Sequence, residues 1–216
     1  MSGGLKKAGA SATAAAGPTV YVVDDDPSVR RSMARLLKTH GFSAEIFACA
    51  EEFLALGHYA SPSCLVLDVR MPGLNGLQLQ EKMAALNLSL PVVFITGHGD
   101  VPMSVKAMKA GAVDFLPKPF SPKDLLSSIR FAIEKNQSDS ALAAGTAAVK
   151  QRLNTLTPRE LEVLRLVVKG KMNKEIADDL KLSIKTVKVH RGRVMRKMEA
   201  ASLAELVRMA GAVGLS

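Results

Sequence analysis

A doubly wound α/β domain followed by an all-α domain is the architecture expected of this 216-residue chain. Short apolar runs alternate with amphipathic stretches from residue 19 to about 136, the pattern of strands and crossover helices in a parallel sheet. Beyond about residue 153 every apolar periodicity is helical. The net charge of +9 gathers in that last third: residues 150–216 hold 15 basic and seven acidic residues, whereas 18–136 holds 12 of each sign. A basic segment joined to a neutral one points to a polyanionic partner for the basic segment alone.

The first 17 residues are rich in Ala, Gly and Ser and read as a flexible tail. Lys6 and Lys7 are followed by no apolar stretch of the kind a secretory signal needs. The expected strands are 19–23, 44–47, 64–68, 91–96 and 113–116. The first, third and fourth are apolar on consecutive positions, as for strands buried on both faces. Helices are expected at 28–40, 50–56, 76–86, 102–110 and 122–134, and right-handed crossovers distribute them over both faces of the sheet. Residues 137–152 are small and polar and read as a linker, part-helical through its alanines. The second domain, 153–216, holds helices at 158–168, 173–180, 184–198 and 203–210; Thr157-Pro158 with Glu160 supplies a cap and a proline at the first helical position. The expected divisions are thus a tail at 1–17, domains at 18–136 and 153–216, and a linker at 137–152.

Aromatic residues make up 4% of the chain and there is no Trp, so the cores must be built from Leu, Val, Ile, Met and Ala. No apolar run approaches the roughly 18 residues that cross a bilayer. Cys49 and Cys64 read as reduced, packed thiols of a cytoplasmic protein rather than as a disulfide.

In an open α/β sheet, functional groups gather at the carboxyl ends of the strands. Here strand one ends in Asp24-Asp25-Asp26, strand three in Asp68 and strand four in Thr96-Gly97, and strand five is followed by Lys118-Pro119. One such aspartate is more often a turn former or a helix cap; Asp26 before Pro27 fits that role. The set of five at four strand ends reverses the odds. Carboxylates brought together repel unless a cation neutralises them. Oxygen ligands with open positions suit Mg²⁺, which completes its shell with water and phosphate oxygens. A lysine and a hydroxyl opposite would complement a phosphoryl group, and Gly97 leaves room for it.

The motifs Val-Val-Asp-Asp-Asp (22–26), Leu-Asp-Val-Arg-Met-Pro-Gly (67–73), Ile-Thr-Gly-His-Gly-Asp (95–100), Met-Lys-Ala-Gly-Ala-Val-Asp-Phe (108–115) and Lys-Pro-Phe (118–120) span the first domain. It resembles a receiver domain of the CheY type, and more closely the FixJ branch. That resemblance implies that Asp68 is the phosphoacceptor. Asp24 and Asp25 would hold Mg²⁺ together with Asp68 and the backbone carbonyl of Arg70. Lys118 would pair with the phosphoryl group across a cis bond to Pro119. Thr96 and Phe115 would form a switch that reshapes the surface of the helix at 102–110 into a dimer interface. His98 lies in a loop and reads as a surface or gating residue.

Residues 181–198 carry Lys181, Lys185, Lys188, Arg191, Arg193, Arg196 and Lys197 and no acidic residue. Ile184, Val187, Val194 and Met198 fall at helical spacing and would dock on the domain, leaving Lys185, Lys188 and Val189 outward. The helix ahead offers Ile176, Ala177 and Leu180, and Ser183 in the short connection is a natural N-cap. Two helices joined by a tight turn, the second one basic, describe a helix-turn-helix.

Leu-Thr-Pro-Arg-Glu-Leu-Glu-Val-Leu (156–164), Gly170, Asn-Lys-Glu-Ile-Ala (173–177), Thr-Val-Lys-Val-His (186–190) and Met198 make 156–211 similar to the LuxR/FixJ-type output domain. By that resemblance Lys185, Thr186, Lys188, Val189 and position 192 face the DNA major groove, where cations donate to guanine and Val189 meets a thymine methyl. Lys174, His190, Arg193 and Arg196 would contact phosphates. The chain departs from the pattern at Gly192, which costs about 1 kcal/mol in a helix and takes a side chain off the reading face. Leu203, Leu206, Val207 and Ala210 share one face of the last helix, suited equally to core packing and to dimerisation.

Together the two resemblances imply a two-component response regulator of the NarL/FixJ family. Its partners would be a sensor histidine kinase, DNA, RNA polymerase and a second copy of itself, with no membrane attachment and no enzyme activity beyond self-phosphorylation. A competing expectation is a phosphatase of the haloacid-dehalogenase type, with Asp24 as nucleophile and Asp26 as acid; Pro27 directly after the triplet argues against it.

Overall fold

The computed structural model describes residues 17–97 and 101–215. Residues 1–16 of the expected tail and His98 lie outside them. Five strands, β1 (Thr19–Val23), β2 (Ser43–Phe47), β3 (Ser63–Asp68), β4 (Val92–Thr96) and β5 (Asp114–Pro117), alternate with α1 (Pro27–Thr39), α2 (Ala50–Ala55), α3 (Gly76–Ala85) and α4 (Val101–Lys109). The strands form one parallel sheet in the order β2-β1-β3-β4-β5. β1, β3 and β4 are buried at every position, as their consecutive apolar residues require, and the edge strands are half exposed.

Side chains alternate across the sheet. Tyr21, Val23, Leu65, Leu67 and Phe94 enter one core with Phe53, Leu79 and Ala107 of α2, α3 and α4. Val20, Val22, Cys64, Val66, Val93 and Ile95 enter the other with Met33 and Leu37 of α1. Both cysteines are free, and burial pushes the Cys64 thiol up to about 12. Helix starts follow local chemistry. The Asp26 carboxylate accepts from Ser28 N–H at 2.7 Å, and Asn75 and Gln78 close a capping box at α3.

The fifth helix, α5, runs from Pro122 to Leu153, through the whole of the segment 137–152. Its first turns bury Leu125, Ile129, Ala132 and Ile133 in the α1-side core. Asn136 continues the anchoring: buried, it accepts from Ser63 N–H at 3.0 Å and donates to the Ser89 carbonyl at 3.3 Å. The chain divides into two compact units, 1–140 and 141–216.

In the second unit α6 (Pro158–Val168), α7 (Asn173–Leu180), α8 (Ile184–Lys197) and α9 (Leu203–Ala212) surround a core that includes Val163, Leu164, Ile176, Val187, Val194, Met198 and Leu206. Ile184, expected in that core, is 45% exposed, because at the first position of α8 it projects beside the seam rather than into it. α9 shares its apolar face out: Leu206 and Ala210 are buried, whereas Leu203 and Val207 remain exposed.

Glu160 ties this unit together. It completes the capping box of α6 with Thr157, and its Oε2 also accepts from Lys197 Nζ of α8 at 2.7 Å. The Lys197 bond, helped by the Thr157 N–H, holds the carboxyl down at about 2, against an ordinary 4.5. Replacing Glu160 by Ala removes a cap and one of the bonds made by Lys197, and should cost about 1–2 kcal/mol, lowering the melting temperature of this unit by roughly 4–16 °C. Because the folded-state pKa is depressed, the stabilisation is complete above the unfolded value and drains away as pH falls from 4.5 towards about 2. Acid unfolding followed by circular dichroism should show that slope in the wild type and lose it in Glu160→Ala.

Candidate functional site

Parallel register builds the acidic site. Val23 of β1 lies beside Leu67 of β3, so the next residues, Asp24 and Asp68, emerge side by side at the carboxyl edge. Oxygens of Asp24, Asp25 and Asp68 lie within 4.8 Å of one another. From the loop after β5, Lys118 Nζ donates at 2.8 Å to Asp24 Oδ2 and at 2.8 Å to Asp68 Oδ2. The bond from Lys118 to Pro119 is cis. Thr96 ends β4, fully buried, and its carbonyl accepts from Lys118 N–H at 2.7 Å. Phe115 of β5 is half-buried, its ring 6.2 Å from that of Phe94. The backbone N–H of Arg70 donates to Asp68 Oδ1 at 3.2 Å, and its side chain is exposed.

Burial raises the Asp24 carboxyl above its usual range, opposed by the hydrogen bonds from Lys118 and the Asp26 N–H and reinforced by the charge of Asp68. Burial also works against the Lys118 ammonium, but its bonds to Asp24 and Asp68 prevail and hold it above its ordinary value. Asp26 is set apart: its carboxylate is exposed, caps α1 and is drawn below its usual range by the Ser28 hydroxyl and N–H. Three carboxylates converge, Lys118 bonds two of them, Asp24 and Asp68, and Asp24 is wholly buried. That imbalance fits a hard divalent cation with oxygen ligands.

Two supporting residues went unnoticed in the sequence. Arg30 Nη1 donates to the Asp24 carbonyl at 2.6 Å and pins the β1–α1 turn that presents the aspartates; its place on the first turn after an Asp-Pro helix start was the available signal. At Gly76 a Cβ would lie 2.3 Å from the Asp68 carbonyl oxygen, so only glycine lets α3 begin hard against the end of β3.

On the basic helix, Val187, Val194 and Met198 are buried. Lys185, Lys188, Val189, Arg193 and Arg196 are exposed on α8, and Lys174 is exposed on α7. Thr186 is half-buried, and its N–H is taken up by the N-cap Ser183 at 3.0 Å. His190 is half-buried, its Nδ1 covered and without a hydrogen-bond partner. Two of the seven cations serve the fold instead. Arg191 donates to Asn173 Oδ1 of α7 at 2.7 Å, and Lys197 to Glu160 and to the Thr155 carbonyl. Among the described residues no helix is long and apolar enough to cross a membrane.

Residues 20–130 match the family model of the response regulator receiver domain, and residues 154–210 match that of bacterial regulatory proteins, luxR family. The chain is 48% identical over 197 residues to nodulation protein W of Bradyrhizobium diazoefficiens, covering 91% of this chain and 87% of the relative. It is 46% identical over 196 residues to the transcriptional regulatory protein FixJ of Rhizobium meliloti, covering 91% and 96%. Among solved structures, the response regulator StyR is similar with a TM-score of 0.79 at 46% identity, covering 90% of this chain and 98% of that one.

Proposed function

The chain belongs to the response regulators that join a receiver domain to a luxR-family DNA-binding domain, and on that premise we propose that Asp68 accepts a phosphoryl group from a sensor histidine kinase and so switches the DNA-binding domain on. Membership in this family of transcription regulators sets aside the haloacid-dehalogenase reading. The observation that carries the proposal is the convergence of Asp24, Asp25 and Asp68, with Lys118 bonded to Asp24 and Asp68.

An oxygen of Asp68 attacks phosphorus, the bond from phosphorus to the kinase histidine breaks, and an acyl phosphate forms. Asp24, Asp25, Asp68 and the Arg70 carbonyl would hold Mg²⁺, whose charge offsets that of the phosphoryl oxygens. Lys118 exchanges its Asp68 partner for a phosphoryl oxygen, and the Thr96 hydroxyl turns to a second one. Phe115 then moves with β5. α4, beside it, carries the exposed apolar stripe Val101, Val105 and Met108 (75%, 44% and 46% exposed), a surface suited to a second copy.

The division of labour is a receiver at 18–136, a linker at 137–152 and a DNA-binding domain at 153–216. Lys185, Thr186, Lys188 and Val189 address bases, and Lys174, His190, Arg193 and Arg196 address phosphates, in the cytoplasm and next to RNA polymerase. A small phosphodonor with Mg²⁺ should raise both the sedimentation coefficient and the affinity for duplex DNA selected from a random pool. Equal affinity and unchanged sedimentation with and without the donor would overturn the proposal.

A further inference from the structure

Gly192 is unexplained by the fold. It lies in the interior of α8, exposed, and a Cβ placed on it would meet nothing within 4 Å. Its backbone is not among those with a positive φ. Alanine would therefore fit without strain and would favour the helix. The domain bears the cost of a mid-helix glycine and gains no packing or turn from it.

Its position on the helix is informative. At about 100° per residue, Gly192 falls within about 40° of the direction opposite the Val187–Val194–Met198 seam. Lys185, Val189 and Arg196 share that outward line, with Lys188 and Arg193 on either side, all exposed. The outermost stripe of α8 thus has long cations towards its ends and a low centre made of Val189, 48% exposed, and Gly192.

We infer that Gly192 is a specificity-determining notch: it lets the backbone of α8 come close to base edges on the floor of the major groove, and it seats Val189 against a thymine methyl while the flanking cations engage what lies to either side. This inference rests on the reading that α8 enters the major groove. A side chain at 192 would hold the helix away at its centre and pull Val189 out of contact, while leaving the phosphate-binding cations in place.

The test uses the full-length chain treated with beryllofluoride and Mg²⁺, a duplex selected by the wild type from a random pool, and an unrelated duplex. Gly192→Ala should raise the melting temperature of the DNA-binding unit by roughly 2–5 °C. It should weaken binding to the selected duplex roughly tenfold or more, leaving unrelated-duplex binding and the salt slope unchanged. Gly192→Leu should weaken selected-duplex binding further. Wild-type or tighter binding of the selected duplex by Gly192→Ala would overturn the inference. So would a lower melting temperature, since the glycine would then serve the fold. Lys188→Ala separates the two readings. If it weakens binding while Gly192→Ala does not, only the notch fails; if neither variant matters, α8 is not the reading helix.

Discussion

Asp68→Asn should reduce covalent labelling by acetyl phosphate to below ~1% of the wild-type stoichiometry, because a neutral amide oxygen does not attack phosphorus as a carboxylate does. The substitution keeps the shape of the side chain, and its amide oxygen can still accept from Lys118, which sits 2.8 Å from Asp68 Oδ2. The receiver should therefore remain folded, with a melting temperature close to that of the wild type. Transfer in the wild type breaks the bond between phosphorus and the acetyl oxygen, releases acetate and leaves the phosphoryl group on Asp68. Mass spectrometry of the intact chain reads the gain directly. Asp24 is wholly buried, its carboxylate accepting from Lys118 and the Asp26 N–H, which makes it a poor alternative acceptor. Labelling of Asp68→Asn at wild-type stoichiometry would place the acceptor elsewhere.

DNA affinity should fall by about three decades between 50 and 200 mM salt. Arg196 on the outward stripe of α8, Arg193 beside it and Lys174 on α7 are exposed, and each can displace one condensed counterion from a phosphate. Two copies on a site give about six such contacts and a log–log slope near −5. Arg196→Ala should flatten that slope by about one for each bound copy and weaken all sequences alike. Lys188→Ala should instead cost about 1–3 kcal/mol on the preferred site and relax base choice. A flat salt dependence would contradict the assignment, and so would an Arg196→Ala variant that changed sequence preference without changing slope.

Much of this was legible in the sequence. The consecutive apolar runs of β1, β3 and β4, the helical periodicity after residue 153 and the caps at Asp26, Thr157 and Ser183 are written in residues a few positions apart. The concentration of charge in the last third and the polar residues at four strand ends were equally visible, and with them the acidic site and the basic helix. What the sequence could not supply was partnership across distance. Lys118 bridging Asp24 and Asp68 joins residues 94 and 50 positions apart, and the clasp between Lys197 and the buried Glu160 spans 37. Arg191 and Lys197 find their partners in α7 and α6, which no local pattern of α8 announces. Residues 137–152 lacked an apolar stripe, yet they lie within α5, whose preceding turns are anchored through Asn136 to β3, far away in the chain. Local pattern determines which elements form and which way their faces point, because helix and strand periodicities are short-range. Which charge meets which, and which cation is left for DNA, depends on where separate segments come to rest, and only the assembled fold decides that.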